Sequence, residues 1–545
     1  MRLRALLILL LIPCVLEADT YPRQTGVDAI HYVFRLSLSD SSDEIVGEST
    51  VTVKFLLDKV GDVQLDLMSP SAGRGMTVQS VRRGGVSDLP GPAADALVYS
   101  HANNRLRLVL PTLSKAGQEF TFTVRYRGIP ADGLLHGVNI HGERTIFANN
   151  WPNQIRHWLP MIDHPYDKAT GEMMVTAPAH YQVVSNGVLI EESDRPNQMR
   201  LTHWRQSVPI ASWLYTLGVA RFTSHHAGMA GGTPVQTWVF PQDRENGVRL
   251  FEDLSRRAIN FFVAQIGPYP YEKLANIQAT GFGGGTEYAS AIFYGEKGVS
   301  AGRGPVVHEI AHQWFGNSVT ERDWDDVWLS EGFATYFTLL FTEHDEGRDA
   351  FVDGLTRSRA QILQLEQKLP DTPVIHRNLS DMDKVLNNLV YQKGGWVLHM
   401  LRAEVGTETF WTAIREYYRR YRDQNASTAE LRAVFEQVSG QELGWFFSQW
   451  LTRAGVPQIE GAWRYLPARK AIEVTLTQTH PAGPFRLAVD VGIAAKPGDL
   501  PRVERIELTG HSATKTIGVD GEPAAVTLDP KTALLMEGGS LVKRP

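Results

Sequence analysis

The apolar residues of this chain change their spacing twice, and that double change limits what it can fold into. From about residue 20 to 225 they alternate. Tyr32, Phe34, Leu36 and Leu38 share one side of the run 31–39, and Phe120, Phe122, Val124 and Tyr126 one side of 120–126. A period of two means strands with one buried face, and the Gly, Asp, Ser and Pro clusters between such runs supply turns. From 246 to 266 the spacing becomes helical, with Leu250, Phe251, Leu254, Ile259 and Phe262. Further helices are predicted at 305–315, 325–341, 349–367, 384–405 and 407–422. In NASTAELRAVFEQV, Ser427 is followed three residues later by Glu430, a capping-box pattern. Past Pro457 the alternation returns, first with Ile472, Val474 and Leu476, then over 485–491.

A chain of 545 residues exceeds what one core organises at roughly 100–200 residues per domain. The expected fold is therefore multidomain α+β: an N-terminal β-sheet domain at 19–229, a mainly helical domain at 230–455 and a small C-terminal β-sandwich at 456–545. A formal net charge of -6 argues against a nucleic-acid partner, which would call for a basic face. At the start, Arg2 and Arg4 precede the apolar run 5–12. That run is shorter than the ~20 residues a membrane span requires, and the pattern is that of a signal peptide occupying 1–18. Export to a periplasmic or extracellular space is the expectation, with no transmembrane span later in the chain. Cys14, the one cysteine, lies inside this leader, so a mature chain has no disulfide. A lipid anchor on Cys14 is the alternative, and Pro13 in front of it disfavours that reading. Asn378 and Asn425 each open an N-x-S triplet.

Within the helical part, His308, Glu309 and His312 stand as HEIAH. Positions four apart share one face of a helix, so both imidazoles can reach one ion while Glu309 stands beside it. This is the HExxH zinc pattern, with the Glu as general base. A third ligand completes a catalytic site. Glu331 is the candidate, nineteen positions on in WLSEGFATYF among mostly apolar neighbours. A carboxylate buried there needs a partner, and a zinc ion is a suitable one. Two neutral imidazoles and one carboxylate leave the ion positive with a position open for water, whose pKa falls towards ~7. The chemistry expected is hydrolysis of an acyl bond, most naturally a peptide.

GGTEY at 284–288, HEIAHQWFGN and WLSEGFATY together resemble the aminopeptidase N family of zinc exopeptidases, gluzincins of the membrane alanyl aminopeptidase type. YQKGGWVLHML at 391–401 and RHWLPMIDHPYDK at 156–168 extend the resemblance over about residues 25 to 540. It implies a thermolysin-like catalytic domain holding one zinc ion on His308, His312 and Glu331. Glu309 then corresponds to the general base, and Tyr391 to the tyrosine that hydrogen-bonds the oxyanion. Glu287 corresponds to the glutamate that grips the free α-amino group of a peptide substrate. Gly284 and Gly285, lacking Cβ, would let the substrate main chain lie alongside as an added strand. The resemblance also implies a short three-domain form without the family's large C-terminal helical domain, and hence an open cleft tolerant of longer peptides.

The chain departs from that pattern in places. Thr286 and Tyr288 stand where Met and Asn are usual, which puts substrate contacts at Tyr288 in doubt. Thr338, seven residues after Glu331, replaces a glutamate that many members carry behind the metal. Asn149, Asn150 and Gln154 are all candidates for a second amine anchor. Gly394 and Gly395 are unusual inside a predicted helix, where each costs ~1 kcal/mol relative to Ala; close packing against the active-site helices would account for them. Three rival readings stay open: an endopeptidase of thermolysin type, a hydrolase opening a lipid epoxide with the same zinc, and a non-catalytic binding protein on this fold.

Overall fold

The computed structural model describes residues 19–85, 95–375, 382 and 385–545. The proposed leader with Cys14, and the Asn378 triplet, lie outside the described residues. The fold is the multidomain α+β arrangement that the two changes of spacing predict. Among the described residues no helix is long and apolar enough to cross a membrane.

The alternating runs become a seven-stranded sheet. Its strands follow in the order Val188–Arg195, Met199–Ala211, Lys168–Pro178, Val27–Ser37, Ile45–Phe55, Glu119–Ile129 and Gly75–Arg83. Tyr32, Phe34 and Leu36 are buried on one face, as their period requires. A five-stranded sheet opens the helical part, in the order Thr223–Ala230, Thr233–Val239, Leu274–Ala279, Ala291–Gly295 and Gly285–Thr286. The two-residue strand Gly285–Thr286 is its edge, antiparallel to Ala291–Gly295, with Gly285 opposite Tyr294 and Thr286 opposite Phe293.

The helices are α1 (Arg244–Gln265), α2 (Glu296–Ser300), α3 (Val306–His312), α4 (Trp328–Asp345), α5 (Arg348–Lys368), α6 (Gly394–Val405), α7 (Thr407–Tyr421), α8 (Thr428–Ser439) and α9 (Gly444–Leu451). The capping box forms: the Ser427 amide donates to Glu430 Oε2 at 2.8 Å, and α8 starts there. Two helices differ from expectation. The segment expected to run to 315 ends at His312, and the chain turns through Gly316, whose φ is +109°. A side chain at Gly316 would also strike Ser330 Oγ at 2.2 Å. The helix expected from 384 begins as a π turn, Leu389–Lys393, which runs directly into α6.

Past Gln458 two sheets follow. One has the order Ser512–Gly518, Ala471–Thr479, Gln458–Leu466, Glu537–Lys543, the other Arg502–Leu508, Leu487–Ala494, Ala525–Leu528. Ile472, Val474 and Leu476 of the first and Val489 and Val491 of the second are buried.

Contacts at Lys168 and at Trp151 are among those that tie the strand-rich part to the helical part. Lys168, half-buried at the start of its strand, donates from Nζ to the carbonyls of Asn317 (3.1 Å), Ser318 (2.7 Å) and Gln424 (3.1 Å). Trp151 packs edge-on against Trp213 and Trp324, with ring centres 4.6 and 4.8 Å away. Between the helices, Gly332 of α4 meets Gly394 of α6 backbone to backbone. A Cβ on Gly332 would stand 2.8 Å from the Gly394 carbonyl carbon, and one on Gly394 3.1 Å from the Gly332 Cα. Close packing therefore accounts for Gly394. Gly332→Ala should lower unfolding stability by about 1–3 kcal/mol, the usual cost of overpacking. Gly518→Ala, whose methyl meets open space, should stay within about 0.5 kcal/mol; denaturant unfolding of both variants checks this.

Candidate functional site

A cavity of about 620 Å³ lies between α3, α4, α5, the π turn and the edge strand, with Asn149 and Trp151 contributed from the strand-rich part. His308, His312 and Glu309 come from α3, Glu331 from the first turn of α4, and Tyr391 from the π turn. Glu287 follows the edge strand. The structure thus brings these six predicted residues into one cavity. Gly285 lines it as well, but Gly284 does not. Gly284 is exposed, and its carbonyl accepts the Gly295 amide at 2.7 Å.

His308 Nε2 and His312 Nε2 stand 3.1 Å apart, and Glu331 Oε2 lies 3.3 and 3.2 Å from them. Three donor atoms at such separations form the base of a tetrahedron whose bonds would be about 2.0 Å, which is the Zn–N and Zn–O length. Glu331 Oε2 is buried and finds no hydrogen-bond donor outside the two rings. His312 Nδ1 lies 3.0 Å from Ser330 Oγ and 3.3 Å from the Phe315 carbonyl. A carbonyl can only accept, so Nδ1 carries the hydrogen and Nε2 keeps its lone pair for a ligand. A second group, Glu287, Glu309 and His312, also has donor atoms within 4.8 Å of one another. Its two carboxylates and single imidazole are a poorer match for a borderline-soft ion than two imidazoles and one carboxylate. The residues present therefore fit a zinc ion on His308, His312 and Glu331.

The electrostatics ask for positive charge. Burial is the largest influence on Glu309 and Glu287 and raises both; Glu287 also raises Glu309, His312 lowers both, and Glu331 raises both. Burial would lower His312, yet Glu287, Glu331 and Glu309 together push it up to about 10. Burial would raise Glu331, but His312 and the hydrogen bonds from both rings hold it down at about 2. Tyr391 is driven far up by burial and then by the charges of Glu331 and Glu287. Without a cation, the cluster compensates its carboxylates by keeping a proton on His312.

Glycine is required at Gly285 for a reason different from the one its sequence suggests. A Cβ there would lie 2.3 Å from Glu309 Oε1, so the Glu309 carboxylate occupies the space over this residue. The Glu287 main chain is clamped from beyond the metal helix. Gln313 Nε2 donates to the Glu287 carbonyl at 3.0 Å and Asn317 Nδ2 donates to the same oxygen at 2.5 Å. Gln313 Oε1 meanwhile accepts the Ser290 amide at 2.9 Å. Sequence reasoning missed both residues. They stand in the quoted HQWFGN, but only the fold shows that they reach back to Glu287.

Tyr288 is fully buried and does not line the cavity. Its hydroxyl donates to the Ala148 carbonyl at 3.2 Å and accepts the Asn150 amide at 3.0 Å, fastening the edge strand to the Asn149 segment. Among the candidate amine anchors, Asn150 is buried, with Nδ2 donating to Tyr215 O and Oδ1 accepting from Trp158 Nε1. Asn149 alone of the three lines the cavity.

Comparison with known proteins adds family information to this geometry. Residues 28–214 match the Peptidase M1 N-terminal domain and residues 300–450 the Peptidase family M1 domain. A glutamyl aminopeptidase of Rattus norvegicus is 26% identical over 359 residues, 61% of this chain and 38% of that protein. Aminopeptidase M1-C of Oryza sativa subsp. japonica is 28% identical over 322 residues, 56% of this chain and 36% of that protein. The chain thus spans less than two-fifths of each relative's length. Among solved structures, an M1 zinc metallopeptidase from Deinococcus radiodurans superimposes with a TM-score of 0.66 at 24% identity, over 80% of this chain and 95% of that one. An M1 zinc metallopeptidase mutant from the same organism, bound to a Tyr-Ser-Ala substrate, gives 0.66 at 23% identity, over 80% of this chain and 96% of that one. These likenesses establish the fold.

Ligation needs a free lone pair on His312 Nε2, whereas at pH 7, below its value of about 10, the metal-free His312 is protonated. Loading with Zn²⁺ at pH 7 should therefore release about one proton per ion. The release from His312 should halve near pH 10 and fade above it. Titration calorimetry in two buffers of different ionisation enthalpy measures the number.

Proposed function

The chain belongs to the M1 peptidase family, and from that premise we propose that it is a zinc-dependent aminopeptidase that removes N-terminal residues from peptides. One observation carries the reading. Beyond the metal set, a further carboxylate, Glu287, is buried in the same cavity and held by its main chain to the metal helix. A thermolysin-type endopeptidase has no use for a group that demands a free amine. The names of the similar proteins, aminopeptidases among them, support the same reading.

His308, His312 and Glu331 would hold one zinc ion. When bound, the ion supplies Lewis acidity that polarises the scissile carbonyl and acidifies the attacking water. Glu309, lying over Gly285, takes the proton from that water and passes it to the leaving amide nitrogen. The Tyr391 hydroxyl donates to the oxyanion as it forms. Glu287 binds the α-ammonium group, with Asn149 as the second partner on the facing wall. The substrate main chain adds to the exposed edge of Gly285–Thr286 as one more strand. Gln313 and Asn317 act through Glu287: by fixing its carbonyl they set the distance between the amine and the scissile bond. The domains are taken as 19–229, 230–455 and 456–545, with the strand Thr223–Ala230 at the first boundary pairing into the second, and the charged, short apolar leader supports export.

Four variants test these roles on aminoacyl arylamides. Glu309→Gln should lower kcat by roughly 10²–10⁴-fold, and Tyr391→Phe by about 10²–10³-fold. Glu287→Ala should raise KM strongly and erase the preference for a free over an N-acetylated terminus; unchanged discrimination would refute the anchor. Gln313→Glu keeps the acceptor for Ser290 and loses the donor to Glu287. It should raise KM by about tenfold, in line with one buried hydrogen bond lost, while kcat moves much less.

A further inference from the structure

The far wall of the cavity carries charge of the opposite sign. Arg357 of α5 is the one Lys or Arg among the described residues that line it. Helix α5 packs on α4 and on the π turn, whereas the Gly285–Thr286 strand packs on α3 and on Ala291–Gly295. Glu287 and Arg357 therefore stand on different walls of one cavity. The guanidinium lies over Gly354, where an added Cβ would be 3.9 Å from its Nη2 and 2.5 Å from Leu339 Cδ2. Arg357 ion-pairs with no carboxylate among the described residues, although three carboxylates line the same cavity.

Thr338 explains part of this. It lines the same cavity from α4, and its Oγ1 donates to the Ala334 carbonyl of its own helix at 2.8 Å, so it brings no charge to face Arg357. Ser358 and Gln361 beside it are likewise neutral and polar. A planar guanidinium that no carboxylate among the described residues engages is matched in shape and charge by a carboxylate ligand, which it can hold through two parallel hydrogen bonds. The cavity is thus anionic where a peptide amine would sit and cationic on the α5 side.

We propose that Arg357 forms a carboxylate subsite, which receives the anionic group of a short peptide whose amine is held at Glu287. The proposal rests on the aminopeptidase reading and adds a substrate class to it: peptides carrying a carboxylate within the span of the cavity. That group is either the C-terminal carboxylate of a di- or tripeptide or an Asp or Glu side chain.

The test uses the zinc-loaded full chain. In a Glu309→Gln background, calorimetry compares Ala-Ala with Ala-Ala amide. The free acid should bind at least about tenfold tighter, the scale of a hydrogen bond to a charged group. Arg357→Met should abolish that difference, and Arg357→Lys should restore part of it. Amidated Ala-Glu and Glu-Ala, set against their Gln counterparts, separate a side-chain carboxylate from the C-terminal one. In turnover by the otherwise wild-type enzyme, the free-acid to amide ratio of kcat/KM should fall at least about tenfold in Arg357→Met, through KM. Equal binding of acid and amide by the Glu309→Gln protein, or equal loss of both in Arg357→Met, overturns the proposal. Failure of the underlying reading shows separately, as absence of release from free-amine arylamides by the wild type; the binding arms still report on the subsite.

Discussion

Three carboxylates, Glu287, Glu309 and Glu331, are buried beside two imidazoles in one cavity. Like charges at such distances and in such burial cannot all persist without compensation. In the absence of an ion, the cluster keeps a proton on His312 and drives Glu287 and Glu309 upward. A divalent cation at the triangle of His308, His312 and Glu331 answers the same demand more fully. The rest of the catalytic region can be understood as the scaffold that holds those negative groups together.

That scaffold works through close backbone approaches and a few buried donors. Gly332 against Gly394 brings the helix bearing Glu331 up to the segment bearing Tyr391. Gly285 leaves room for the Glu309 carboxylate. Gln313 and Asn317 bind the Glu287 carbonyl to the turn after the metal helix, and Lys168 from the seven-stranded sheet caps the carbonyls of that same turn. The strand-rich part is therefore coupled to the Glu287 segment by two routes, through Lys168 and through Tyr288 with the Asn149 segment. Tyr288 is buried, where its replacement leaves the Ala148 carbonyl unpaired at a cost of about 1–3 kcal/mol.

The departures from the family pattern take on separate meanings. Tyr288, which raised doubt about substrate contacts, points into the protein and serves as a clasp. Thr286 sits in the edge strand, as a β-branched residue readily does. Thr338 is the departure with a chemical consequence, since α4 brings no negative charge to the cavity at that position. A substitution that looks like a loss behind the metal leaves, on the inference drawn above, no carboxylate at that position to compete for Arg357.

Periodicity alone was enough to divide the chain into strand-rich, helical and strand-rich parts, because burial of one face imposes a period of two or of 3.6 wherever it occurs. HEIAH was legible for a similar reason: helical geometry dictates that residues four apart meet. Glu331 could be proposed from its apolar neighbours and the missing third ligand. Glu287 and Tyr391 were legible only through resemblance, since neither has a local pattern that sets it apart. What the sequence could not supply were contacts between segments remote in the chain. Nothing local says that Gln313 and Asn317 reach the Glu287 carbonyl, that Gly285 is small on account of Glu309, that Asn149 faces the cavity while Asn150 is spent on Tyr215 and Trp158, or that Arg357 joins the same cavity. Those relations depend on how helices and sheet edges pack, and packing is decided by the sum of many distant contacts that no single stretch contains.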